Sequence, residues 1–198
     1  MKRSLRQRPK GVALVEVLVA MLVVSVGVLA MAGLLATASR YGKTSEFRAV
    51  ATLLATDMAD RIRANKDALR SNVTPAGNAT VYNVTGDYSS WATEPADPVA
   101  CSNVNECTAA ELAARDIAEW SRSVFANMPG GAGYVSVAQV GALGGQRENF
   151  AADIWIAWLD PDADVGLPTA ENGKECPEDF RVSDGSSQPR CSFFRVGL

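Results

Sequence analysis

The chain has 198 residues, 47% apolar and 21% charged, with a formal net charge of −3 and no histidine. That apolar content excludes a disordered chain, and the missing imidazole excludes Ser-His-Asp and Cys-His catalysis, histidine-based zinc sites and histidine-ligated haem. The apolar residues are unevenly spread, because Val12 to Ala38 holds 22 of them in 27 positions, and no later run approaches the roughly 20 that a second membrane span needs.

Residues 1–11 read MKRSLRQRPKG, with Lys2, Arg3, Arg6, Arg8 and Lys10 and no acid. A basic segment of this kind stays on the cytoplasmic side and directs the rest of the chain outward. Val17 to Ala38 contains 22 uncharged residues, which as a helix extend about 33 Å and cover a bilayer core. This is longer than the apolar core of a secretory signal. An Ala-Thr-Ala triplet at Ala36 to Ala38 nevertheless resembles a signal peptidase site, and a domain secreted from Ser39 is the alternative it carries. Glu16 stands out in this apolar stretch, because a carboxylate at a bilayer centre costs about 2.5–3.5 kcal/mol on insertion scales. It needs a partner. Cleavage after Gly11 would expose an α-amino group on Val12, four residues before Glu16, and opposite charges in an apolar setting pair strongly, within one chain or between neighbours.

The segment GVALVEVLVAML closely resembles the type IV prepilin signature: a short basic leader ending in Gly, an apolar first mature residue, and Glu as the fifth. By that resemblance Gly11 is the glycine read by the prepilin peptidase, Val12 the residue that is exposed and N-methylated, and Glu16 the glutamate that guides assembly. Val12 departs from the commonest residue there, phenylalanine.

No proline interrupts Val12 to Leu69. Phe47, Val50, Leu54, Met58, Ile62 and Leu69 recur at steps of three, four and seven, with Lys43, Glu46, Asp57, Asp60, Arg61 and Lys66 largely off that stripe. The pattern predicts one helix with a membrane half over 12–38 and an amphipathic half over 39–72, ended by Asn72 to Pro75. Gly27, Gly33 and Gly42 either weaken it locally or allow close helix packing.

Residues 73–198 form the globular part. The first stretch, to Cys107, is rich in Asn, Thr, Ser, Pro and Gly and reads as a long connection with at most a short hairpin around Thr80 to Val84. Thr108 with Glu111 makes a capping box, and Ala113, Ile117, Trp120 and Val124 share a face, so a second helix is predicted over Thr108 to Asn127. Strands are predicted next at Tyr134 to Val140 and Phe150 to Leu159, the latter placing Ile154, Ile156 and Trp158 on one face and Trp155 and Ala157 on the other. Phe180 to Val182 and Ser192 to Val196 complete a predicted antiparallel sheet of about four strands, whose apolar face buries the helical stripe.

Cys101, Cys107, Cys176 and Cys191 contain no CxxC pair and match no zinc-ribbon or ferredoxin spacing, so two disulfides in an oxidising compartment are expected. Three pairings are possible, and loop closure favours Cys101 with Cys107 and Cys176 with Cys191. Asp160, Asp162, Asp164 and Glu171 imitate a calcium loop, but Val165 stands where glycine is required and two prolines stiffen the segment; a solvated acidic turn is the preferred reading. No cofactor is expected. Removal of the leader takes five positive charges from 19, leaving 14 against 22 acids and a mature charge near −8. That leaves no basic face for nucleic acid.

The resemblance implies an α+β, pilin-like lollipop, a long N-terminal helix packed on the sheet with an additional helix, and a non-enzymatic role. ALVEVLVAMLVVSVG, DMADRIRANKDAL and the Trp-containing strand before an acidic turn are similar to minor pilins of the PilV type. Such proteins insert in the inner membrane with a periplasmic head, are cut by the prepilin peptidase, and join other minor pilins and the major pilin, with a tip adhesin as a further partner. A minor pseudopilin of a type II secretion system shares this N-terminus. A signal-anchored periplasmic enzyme or binding domain is the alternative of another class.

Overall fold

A computed structural model describes residues 14–72, 81–97, 107–140, 149–159, 176–180 and 189–198. Helix α1, Leu14–Ala64, is one continuous element of 51 residues, and the chain divides into two compact units at Lys43 and Thr44.

In the first unit every large apolar side chain from Leu14 to Leu35 is exposed, from 42% at Val17 to 83% at Leu14. Ser25 Oγ donates to the Met21 carbonyl and Thr37 Oγ1 to the Gly33 carbonyl at 2.9 Å. Both hydroxyls are thereby satisfied inside the helix, as an apolar surrounding requires.

In the second unit the amphipathic stripe of α1 is buried as its spacing predicts. Ala51, Leu54, Ala55, Met58, Ala59 and Ile62 lie in the core, with Phe47 and Val50 packed at its edge. The helix stops at Ala64, earlier than the sequence pattern suggests. Asn65 leaves helical geometry at φ −118° and ψ 48°, and a short helix α2, Lys66–Ser71, comes next. The cause is tertiary: buried Asn65 donates from Nδ2 to the Tyr82 hydroxyl at 3.1 Å and the Ala109 carbonyl at 2.8 Å, fixing the turn from outside the helix. Leu69 continues the buried stripe from α2.

Segment 81–97 contains a single turn, α3, Tyr88–Trp91, capped by the Asp87 side chain on the Ser89 amide. The expected hairpin near Thr80 to Val84 is replaced, in its described part, by a bridge from Val84 to Val135. Helix α4, Ala109–Asn127, begins at the capping box of Thr108 and Glu111. Trp120 and Val124 are buried, and the Trp120 Nε1 donates to the Leu54 carbonyl of α1 at 2.9 Å.

Strands β1, Ala132–Val140, β2, Asn149–Trp158, and β3, Arg190–Gly197, form an antiparallel sheet in the order β1-β2-β3. Alternation along β2 sends Phe150, Ala152, Ile154, Ile156 and Trp158 into the core shared with α1 and α4. Ala157 and Trp155 turn to a second cluster with Tyr88, Tyr134 and Phe180. Across that second face Tyr134, Trp155 and Phe193 stand in register on successive strands, ring centroids 5.3 Å and 4.7 Å apart.

The sheet has three strands among the described residues, one fewer than expected. Phe180 closes a 3-10 turn, Glu178–Phe180, with its amide donating to the Pro177 carbonyl at 3.1 Å. Its ring packs edge-on against Tyr88 and Tyr134 and is fully buried. Residues 181 and 182 lie outside the described residues. The fold is thus α+β, a long N-terminal helix packed through its second part on an antiparallel sheet with additional helices.

Candidate assembly and membrane site

Glu16 lies in the first turn of α1 and is exposed, among Leu14, Val15, Val17 and Leu18, which are exposed as well. An acid in this position interacts favourably with the helix dipole. From Leu14 onward the helix offers one span long and apolar enough to cross a membrane, none of whose most apolar window is buried by the rest of the chain. A Cβ built on Gly27, Gly33 or Gly42 meets no atom within 4 Å, so nothing among the described residues requires a glycine at those positions. Gly11 and Val12 lie outside the described residues. Among the described residues the arrangement is an exposed apolar run with one acid in its first turn.

Residues 6–32 match the family model described as the prokaryotic N-terminal methylation motif. The chain carries an N-terminal methylation motif. It takes in Gly11, Val12, Glu16 and most of the exposed apolar stretch, and it supports a protein of the type IV pilin or pseudopilin class. No curated protein and no solved structure matches the chain.

The methylation motif ends well before the head, whose polar groups are organised structurally. Arg61 of α1 donates to Asp57 at 3.1 Å, Glu119 at 3.0 Å and Asp116 at 3.4 Å. The Tyr82 hydroxyl donates to the other Asp116 oxygen at 2.7 Å and accepts from Asn65. Burial works against the Arg61 charge, but the hydrogen bonds to Glu119 and Asp57 outweigh it and raise the pKa. Hydrogen bonds from Arg115 and Arg61 hold the Glu119 carboxyl below its ordinary range, and burial together with the Asp116 contact pushes the Tyr82 phenol up. The network staples the end of α1 to α4 and to segment 81–97. It is half-buried, and its charged groups are partnered with one another, so it reads as a structural clamp. Sequence reasoning missed it because Arg61 and its α4 partners are 55 and 58 residues apart.

Cys176 and Cys191 form a disulfide that ties the 3-10 turn to β3. Cys107 is disulfide-bonded, and Cys101 lies outside the described residues. The acidic group Asp160, Asp162, Asp164 and Glu171 also lies outside them. The Asn83 Oδ1 accepts from the Val137 amide at 2.9 Å, so this side chain covers one amide on the outer edge of β1.

Proposed function

We propose that the chain is a structural, non-enzymatic minor pilin that takes part in initiating type IV pilus assembly and is incorporated at or near the filament tip. The observation that carries this reading is Glu16, a lone acid in the first turn of α1, ahead of the exposed apolar run to Leu35 and inside the methylation motif. In this reading the prepilin peptidase cuts after Gly11, Val12 becomes the methylated first residue, and the head lies on the periplasmic side of the inner membrane.

Assembly then rests on the chemistry of α1. Its apolar surface is solvated by lipid tails and afterwards by the helices of other minor pilins and the major pilin. A carboxylate carried into that bundle is costly unless a cation meets it. The Val12 amine of a neighbour supplies the cation, so Glu16 is tolerated only where the two helices are in register. A minor pseudopilin of a type II secretion system would use the same device; the chain's length and its disulfides support the pilus reading.

Mass spectrometry of the mature N-terminus tests processing. Methylated Val12 is expected, whereas an intact Met1 or a start at Ser39 overturns the reading. For assembly, Glu16→Ala should leave membrane insertion intact and reduce incorporation into filaments; normal incorporation rejects the register mechanism.

A further inference from the structure

Tyr41 is the first aromatic residue in the sequence, placed between Arg40 and Lys43 just after the apolar run, and its side chain is 61% exposed. It belongs to the same continuous helix and compact unit as Glu16. An exposed tyrosine at this point has an apolar ring and a polar tip, the combination that settles at the headgroup level of a bilayer. Basic residues beside such a ring extend their charged ends towards lipid phosphates while their stems cover apolar surface.

The helix length then decides where Glu16 lies. Tyr41 is 25 positions beyond Glu16, about 38 Å along an α-helix. A tilt of about 20°, average for membrane helices, shortens the projection only to about 35 Å. The hydrocarbon core is about 30 Å thick, so the two residues cannot both lie within it.

We propose that Tyr41, framed by Arg40 and Lys43, is a lipid-interface anchor that fixes the register of the span and so keeps Glu16 at the opposite, hydrated surface of the bilayer. The proposal rests on the reading of this helix as a membrane span. Its occupant is the headgroup layer of anionic phospholipid, chosen for charge complementarity with Arg40 and Lys43 and for the fit of the run's length to one bilayer. The membrane-resident monomer then bears little of the cost of a carboxylate in hydrocarbon. That cost arises when Glu16 moves into a helix bundle, where a neighbouring amine offsets it.

The test uses the full chain in vesicles of phosphatidylethanolamine and phosphatidylglycerol, with a nitroxide on a single added cysteine at Val15→Cys, Val28→Cys, Gly42→Cys or Lys66→Cys. No native thiol is free among the described residues. Collisions with a water-soluble nickel chelate and with oxygen report depth. Val28→Cys should be the most oxygen-accessible, with nickel accessibility several-fold lower than at Val15→Cys and Gly42→Cys. Tyr41→Ala should shift the Val15→Cys reading, and Tyr41→Trp should restore it. A Val15→Cys label as protected from nickel as Val28→Cys, or readings unmoved by Tyr41→Ala, overturns the anchor. Nickel accessibility at Val28→Cys equal to that at Lys66→Cys on the head rejects the membrane span itself.

Discussion

Gly133→Ala provides a demanding check on how the head is packed. A Cβ on Gly133 would stand 2.1 Å from Trp120 Cη2, 2.4 Å from Cζ3 and 3.1 Å from Cζ2. Carbon atoms in contact prefer about 3.5–4.0 Å, so the ring would have to retreat by more than about 1 Å. It cannot do so cheaply, since Trp120 is fully buried and its Nε1 is held by the Leu54 carbonyl at 2.9 Å. Overpacking of this kind costs about 1–3 kcal/mol, and a clash with a tethered ring belongs at the upper end, about 3 kcal/mol. That is a large share of a typical folding stability of about 5–15 kcal/mol. The three clashing atoms belong to the outer ring of the indole, which phenylalanine lacks. Trp120→Phe alone should destabilise through the lost hydrogen bond and lost area, but the double variant should be less destabilised than the sum of the two by about 2 kcal/mol. Denaturant unfolding of the detergent-solubilised chain, monitored by circular dichroism, measures all four corners of the cycle. A Gly133→Ala variant within about 0.5 kcal/mol of the parent, or strictly additive costs, refutes the argument.

Three further outcomes can be checked in the same assay. Burial pushes the Tyr88 phenol from 10.0 to about 12, and burial with the Asp179 contact does the same for Tyr134. Because the fold favours the neutral phenols, their contribution is complete below pH 10 and should be lost between pH 10 and about 12, seen as a falling denaturation midpoint. Replacing both Cys176 and Cys191 with serine opens a link across 15 residues and should destabilise the head by about 3 kcal/mol, read from the unfolding midpoint. Asp116→Ala removes the acceptor of the buried Tyr82 hydroxyl and one carboxylate of the Arg61 network and should cost about 2 kcal/mol, whereas Asp67→Ala, an exposed pair with Arg70, should cost under about 0.5 kcal/mol.

Features encoded by nearby residues were legible in the sequence. The capping box of Thr108 and Glu111 lies within one turn, and the alternation of Ile154, Ile156 and Trp158 against Trp155 and Ala157 is a property of the strand itself. The buried stripe of α1 arises from helical period in the same way. Features that depend on distant partners were not legible. Asn65 can continue a helix locally, and its bonds to Tyr82 and the Ala109 carbonyl, 17 and 44 residues away, favour the turn. Phe180 has strand character by composition, but the Pro177 turn and the adjoining disulfide place it in an aromatic cluster instead. The N-terminal motif was legible because it is written in the spacing of residues along one short segment, within 6–32.

Burial of Ala51, Leu54, Met58 and Ile62 under the sheet ties the fate of the head to that of α1. The same helix that begins as an exposed apolar rod supplies one wall of the head's interior. A protease that cuts between Ala51 and Ile62 would therefore not shed an intact head. It would remove part of that wall and release a fragment with its remaining apolar faces open to water, a substrate for degradation. Only a cut ahead of Phe47 leaves the interior complete, so α1 confines release of an intact head to cleavage in the stretch before that residue.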